Sequence, residues 1–137
     1  MIYAGIFFDK NEVEKITPNK LEKEIQFPHI TFKFRPNIEE QEIFKTLVNE
    51  EVDVYIYNFK MDEENAGFYV TKIETNNKTI QDLFFEILCP HITTSVSENG
   101  KPVNTYKLFD KDCAVEKEIF HVIKGKFGYF ENGKPNF

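Results

Sequence analysis

The chain has 137 residues, 41% hydrophobic and 29% charged, with a formal net charge of −6 and a pI near 5.1. That length fits one domain, residues 1–137. The acidic balance, with Arg35 as the sole arginine and no basic run, excludes the many phosphate neutralisations by which a long nucleic-acid duplex is held. No apolar run approaches the ~20 residues of a membrane helix. "MIYAGIFFDK" reads as a first strand rather than a signal peptide, so a cytoplasmic protein without a membrane partner is expected.

Residues 2–8 read as a strand, stopped by Asp9-Lys10-Asn11. Thr17-Pro18-Asn19 predicts the start of an amphipathic helix running to about Gln26, with Leu21 and Ile25 on its buried face. Pro28 ends it, and a strand over 29–35 follows. A second helix is expected over 38–49, with Ile38, Phe44, Leu47 and Val48 facing inward. "VDVYIYNFKM" and "AGFYVTKIET" predict an antiparallel hairpin joined by a polar turn over 62–65. A third helix over 79–86, a strand over 91–96 and a loop "SENGKPVN" come next. The tail "FHVIKGKFGYFENGKPNF" gives one or two strands turning at glycines. Cys89 and Cys113 have no metal-ligand spacing; reduced thiols are expected, with a disulfide as the alternative.

Two segments of this chain match at an offset of 62 positions. Asn19 to Thr31 reads NKLEKEIQFPHIT, and Gln81 to Thr93 reads QDLFFEILCPHIT, with seven identities in thirteen. Each copy follows a predicted strand, so the order strand, helix, histidine-bearing strand occurs twice. This implies two lobes about a pseudo-two-fold axis. Strand alternation puts His29, Thr31, Lys33 and Arg35 on one face and Ile30, Phe32 and Phe34 on the core face. In the second copy His91, Thr93 and Ser95 oppose Ile92, Thr94 and Val96.

A polar face on an antiparallel strand is ordinarily just solvated. Packing accounts for a repeated Leu, Ile and Pro; it does not call for His and Thr on the outer face twice. Two histidines meeting across a cleft suit phosphodiester chemistry: one imidazole takes a proton from the nucleophile, the other gives one to the leaving oxygen. The threonine hydroxyls can donate to the non-bridging oxygens, with no metal or other cofactor required. Tyr3, which shares a face with Phe7, could stack on a base; Lys101 and Asn104 lie in a loop that could fold over the cleft. His121, on an apolar strand without a repeat, reads as structural. A Cys89 nucleophile is disfavoured by Pro90 and by the absence of a cysteine at Phe27. A zinc site of His29, His91 and Cys89 lacks a fourth ligand.

Paired H-φ-T-φ motifs, φ being apolar, resemble those of the two-histidine (2H) phosphoesterase superfamily. His29-Ile30-Thr31-Phe32 fits throughout, and His91-Ile92-Thr93-Thr94 departs at its last position. The stretch "HITTSVSENGKPVNTYKLF" is similar to the cyclic phosphodiesterase domain of fungal and plant tRNA ligases. The resemblance implies a bilobal α+β fold, two pseudo-symmetric antiparallel-sheet lobes with outer helices and a central cleft. It also implies metal-independent attack on 2′,3′-cyclic phosphates, 2′–5′ linkages or related nucleotide bonds. His29, Thr31, His91 and Thr93 would be the catalytic residues, and Tyr3, Lys33, Arg35, Ser95, Lys101 and Asn104 would contact the substrate. The charge balance favours a small nucleotide or cyclic oligonucleotide over a long RNA. The rival expectations are healing of an RNA 2′,3′-cyclic end and a nucleotide-binding module without activity. The sequence leaves the oligomeric state open.

Overall fold

The computed structural model describes residues 1–109 and 120–137. In chain order these form β1 (Tyr3–Phe7), α1 (Lys10–Ile16), β2 (Lys23–Glu24), β3 (His29–Phe34), α2 (Ile38–Thr46), β4 (Glu51–Met61), β5 (Asn65–Glu74), α3 (Lys78–Phe85), β6 (His91–Val96), a 3-10 helix (Pro102–Phe109), β7 (His121–Glu131) and β8 (Lys134–Asn136). The fold is α+β.

Local chemistry sets the helix positions, and in one place overturns the sequence reading. Asp9, expected only to end the first strand, is an N-cap: its side chain accepts the backbone N–H groups of Asn11 and Glu12 and starts α1. Val13 is buried by that helix. Thr17, expected as the start of a helix, is its end, with its hydroxyl donating to the Val13 carbonyl. Pro18 disfavours helical geometry at Thr17 and blocks continuation. Residues 17–26 are therefore a strap, not a helix. Its short β2 pairs with β6, and Leu21 and Ile25 are half-buried within it. Asn37 and Glu40 form a reciprocal capping box on α2. Phe44 and Leu47 are buried there as expected, Val48 is half-buried, and Ile38 is 78% exposed because it sits in the first turn on the solvent side. Asn77 caps α3, whose Ile80 and Phe84, four apart, go into the core. Cys89 is disulfide-bonded, the alternative to the reduced thiol expected for it; Cys113 lies outside the described residues.

The eight strands form one antiparallel sheet in the order β2-β6-β5-β4-β7-β1-β3, with β8 added to β7. The β4–β5 hairpin turns where Asp62 Oδ1 accepts the N–H groups of Glu64 and Asn65. Outward from the central β4–β7 pair, the second strand on either side is a histidine strand: β6 one way, β3 the other. One sheet face carries Ile6, Ile30, Val54, Ile56, Phe68, Val70, Ile92 and Phe127, packed against Val13, Phe44, Ile80 and Phe84 from the three α-helices. The sheet curls until Cα atoms of β3 and β6 come within 8 Å. No ladder joins those two strands among the described residues.

Candidate active site

His29 opens β3 and His91 opens β6, and the backbone seats them identically. Phe8 N–H donates to the Pro28 carbonyl and Val70 N–H to the Pro90 carbonyl, each at 3.0 Å. His29 Nδ1 lies 2.8 Å from the Phe27 carbonyl oxygen, and His91 Nδ1 lies 2.8 Å from that of Cys89. A carbonyl oxygen only accepts, so Nδ1 carries hydrogen in both rings. Nε2 is then the nitrogen left to exchange a proton, a lone pair when the ring is neutral and a donor when it is charged.

The threonines are placed by matching bulges. Gly5 pairs with Thr31 and Ala4 with Lys33, leaving Phe32 over; Gly67 pairs with Thr93 and Ala66 with Ser95, leaving Thr94 over. A Cβ at Gly5 would sit 1.9 Å from the Ile30 carbonyl oxygen, and one at Gly67 would sit 2.3 Å from that of Ile92. Only glycine permits so close an approach of the two backbones. Ala4-Gly5 and Ala66-Gly67 stand at the same offset of 62 as the histidines. That signal was present in the sequence, outside the thirteen residues compared.

The bulges also correct the expected faces. Beyond each extra residue the alternation flips, because directly paired residues project to the same side. Lys33 follows Ala4 to the helix side, where it meets Glu40 of α2 at 3.6 Å. Ser95 follows Ala66; it is fully buried and its Oγ accepts the Leu21 N–H, so it anchors the strap. Neither is on the histidine face. Phe34, expected in the core, pairs with Tyr3 and is 59% exposed. Arg35 lies past the strand end, its guanidinium over the Phe34 ring.

The surroundings of the two histidines differ. Tyr3 stacks on His29 at 4.4 Å between centroids and on Phe130 at 5.2 Å, and Phe7 lies directly across from His29. The Tyr3 hydroxyl is 3.3 Å from His29 Nδ1, and burial pushes its pKa up to about 12, so it remains a neutral phenol. Thr31 is exposed. On the other side Tyr69 faces His91, and Thr93 is buried. Thr93 Oγ1 lies 2.8 Å from Thr105 Oγ1, which accepts a 3.1 Å bond from Asn65 Nδ2; Asn65 Nδ2 also donates to the Lys101 carbonyl. Asn65 and Thr105 were not foreseen as site residues. Lys101 takes part through its carbonyl while its side chain is exposed, and Asn104 is half-buried with its N–H on that same carbonyl. His121 is exposed at the start of β7, away from both motifs in the sheet order.

Burial lowers the pKa of both histidines from 6.5, opposed in each by the carbonyl on Nδ1; for His29 a charge on His91 lowers it further. Both rings are thus held neutral in the free protein near pH 7. The pair can do acid–base work once an anion between them favours a proton on one ring. Among the described residues no group of three or more His, Cys, Asp or Glu side chains could hold a metal. A hollow of about 340 Å³ lies elsewhere, between α1 and the strap. Its Lys10 and Lys20 both pair with Glu24, and no histidine lines it. The histidine pair is the better candidate on chemical grounds. Comparison with family models, curated proteins and solved structures returns no match to this chain.

Proposed function

We propose that this chain is a phosphodiesterase of the two-histidine type, acting without a metal on a small nucleotide or cyclic oligonucleotide. Each half of the sheet serves as one lobe of a two-lobed fold, with the cleft between β3 and β6. One Nε2 takes the proton of the attacking hydroxyl while the other, protonated, delivers its proton to the leaving oxygen. Exposed Thr31 donates a hydrogen bond to a non-bridging oxygen, where charge builds in the transition state, and Thr93 does the same by turning its one hydroxyl hydrogen from Thr105 Oγ1 to the phosphate. The substrate phosphate supplies the negative charge that brings one buried imidazole into its charged form.

The observation that carries this reading is the matched seating of the two rings: the same Nδ1-to-carbonyl bond at 2.8 Å on two strands that approach each other. Packing requires neither the tautomer nor the match. A small substrate follows from the sole arginine and the net charge of −6.

The test is a panel assayed with EDTA present: nucleoside 2′,3′-cyclic phosphates, cyclic di- and trinucleotides, 2′–5′ oligoadenylate and an RNA ending in a cyclic phosphate. Turnover of a small member that survives chelation is expected. Loss on chelation with rescue by zinc or manganese would overturn the mechanism. Faster turnover of the RNA end, with a steep salt dependence, would replace the small substrate by a long one.

A further inference from the structure

The bulge in β3 builds a surface that strand alternation does not foresee. It turns Phe34 onto the face of Tyr3 and His29, at the outer end of the row His29, Thr31, Phe34. There Phe34 is 59% exposed. Exposed phenylalanines occur singly on most proteins and by themselves mean little. Here two further observations bear on this one. Arg35, the sole arginine, holds its guanidinium 5.3 Å from the Phe34 ring centroid. It does so from a left-handed backbone, φ 50°, held by its N–H on the Ile2 carbonyl at 2.7 Å. That conformation is uncommon outside glycine, and such local strain concentrates at working sites.

We infer that Phe34 and Arg35 form a nucleobase subsite: the base stacks on the free face of Phe34 while Arg35, on the other side of the ring, meets a phosphate flanking the scissile one. This rests on the proposed phosphodiesterase reading and names what its substrate carries. Aromatic faces bind bases with little sequence preference, and a guanidinium stacked on the ring adds to the attraction. Arg35 is exposed, and a guanidinium offers a phosphate a bidentate contact. The equivalent stretch of β6 ends in Val96, so the subsite exists on one side only, and the ligand binds in one orientation.

The experiment is calorimetric titration of the whole chain with a non-hydrolysable phosphorothioate dinucleotide and with the same compound made abasic at one or the other nucleoside. Phe34→Ala should weaken dinucleotide binding by about 5- to 150-fold, the range of one base–aromatic stack. Phe34→Trp should restore it, and removal of one particular base should reproduce the Ala result in the parent protein. Phe85→Ala, which removes a phenylalanine 76% exposed on α3, serves as the control and should leave binding unchanged. Arg35→Gln should weaken a ligand with a flanking phosphate more than one without. Unchanged affinity in Phe34→Ala, equal loss in Phe85→Ala, or no dinucleotide binding by the parent would each overturn the subsite. Turnover is read separately: a parent that binds through Phe34 but cleaves nothing sinks the catalytic reading and leaves the subsite standing.

Discussion

In the half built from β7, β1 and β3, the histidine sits among aromatic rings and the threonine faces solvent. In the half built from β4, β5 and β6, the threonine lies buried beneath the 3-10 helix, bonded to Thr105, and the histidine faces a single tyrosine. Yet both halves share the Ala-Gly bulge, the proline carbonyl bond and the Nδ1 bond. The shared parts are those that aim an imidazole. The unshared parts are those that would touch a ligand. A phosphodiester, the substrate proposed above, carries unlike groups on its two ester oxygens, and unequal walls around a doubled motif would suit it.

The largest break in the comparison would come at the histidines. His29→Ala and His91→Ala should each lower turnover at least ~10²-fold, the contribution of general acid–base catalysis. A rate that survives one substitution and not the other would end the paired reading; His121→Ala should match the parent. Thr31→Ala and Thr93→Ala should each cost on the order of 10- to 10²-fold in rate. They should part company in stability. Thr93→Ala strips a buried partner from Thr105 and should cost roughly 1–3 kcal/mol in urea denaturation, whereas exposed Thr31→Ala should stay within about 0.5 kcal/mol. Equal stability in the two variants would show that the buried network contributes nothing.

Gly5→Ala and Gly67→Ala probe what the halves have in common. Each forces a Cβ into a carbonyl oxygen and should destabilise by about 1–3 kcal/mol, with a lowered Tm. Gly67→Ala also presses on Thr105 Cγ2, at 2.9 Å, and so should disturb the rate more. The smallest effect is on proton linkage. Both histidines are lowered from 6.5 by burial, so between 6.5 and their folded values the unfolded chain binds protons that the folded chain does not. Stability should therefore fall as pH drops below about 6.5, and His29→Gln with His91→Gln should flatten that decline. The paired Glu24 and Glu131, lowered from 4.5 by their cationic partners, act further down: their contribution is present above 4.5 and lost as pH falls. In the same spirit, inorganic phosphate binding should take up protons, read as a dependence of the calorimetric heat on buffer ionisation.

The hairpin, the second and third helices and the doubled motif were legible because periodicity and turn residues agree there. The first helix was not. Asp9 and Thr17 are both good caps, and what chose between them is the burial of Val13, a tertiary fact. The matches of Leu21 with Leu83 and Ile25 with Ile87 proved not to share structure, since one set lies in the strap and the other in or just past α3. The histidines and threonines could be read by alternation because they precede the bulges. Lys33, Phe34 and Ser95 could not, because one extra residue reverses every face after it. Arg35 failed differently, by leaving the strand.

Strand β3 ends the hydrogen-bonded path of the sheet, so one row of its backbone groups has no neighbouring strand among the described residues. Such a border invites addition of a strand from another molecule, the first step of aggregation. The irregularity at Phe32 bends that row out of register, exposed Lys33 sets a charge beside it, and the left-handed Arg35 followed by Pro36 cuts it short. The kink that follows Thr31 thereby also blunts the border against self-association. Straightening it, for instance by removing the extra residue, should lower solubility as well as activity.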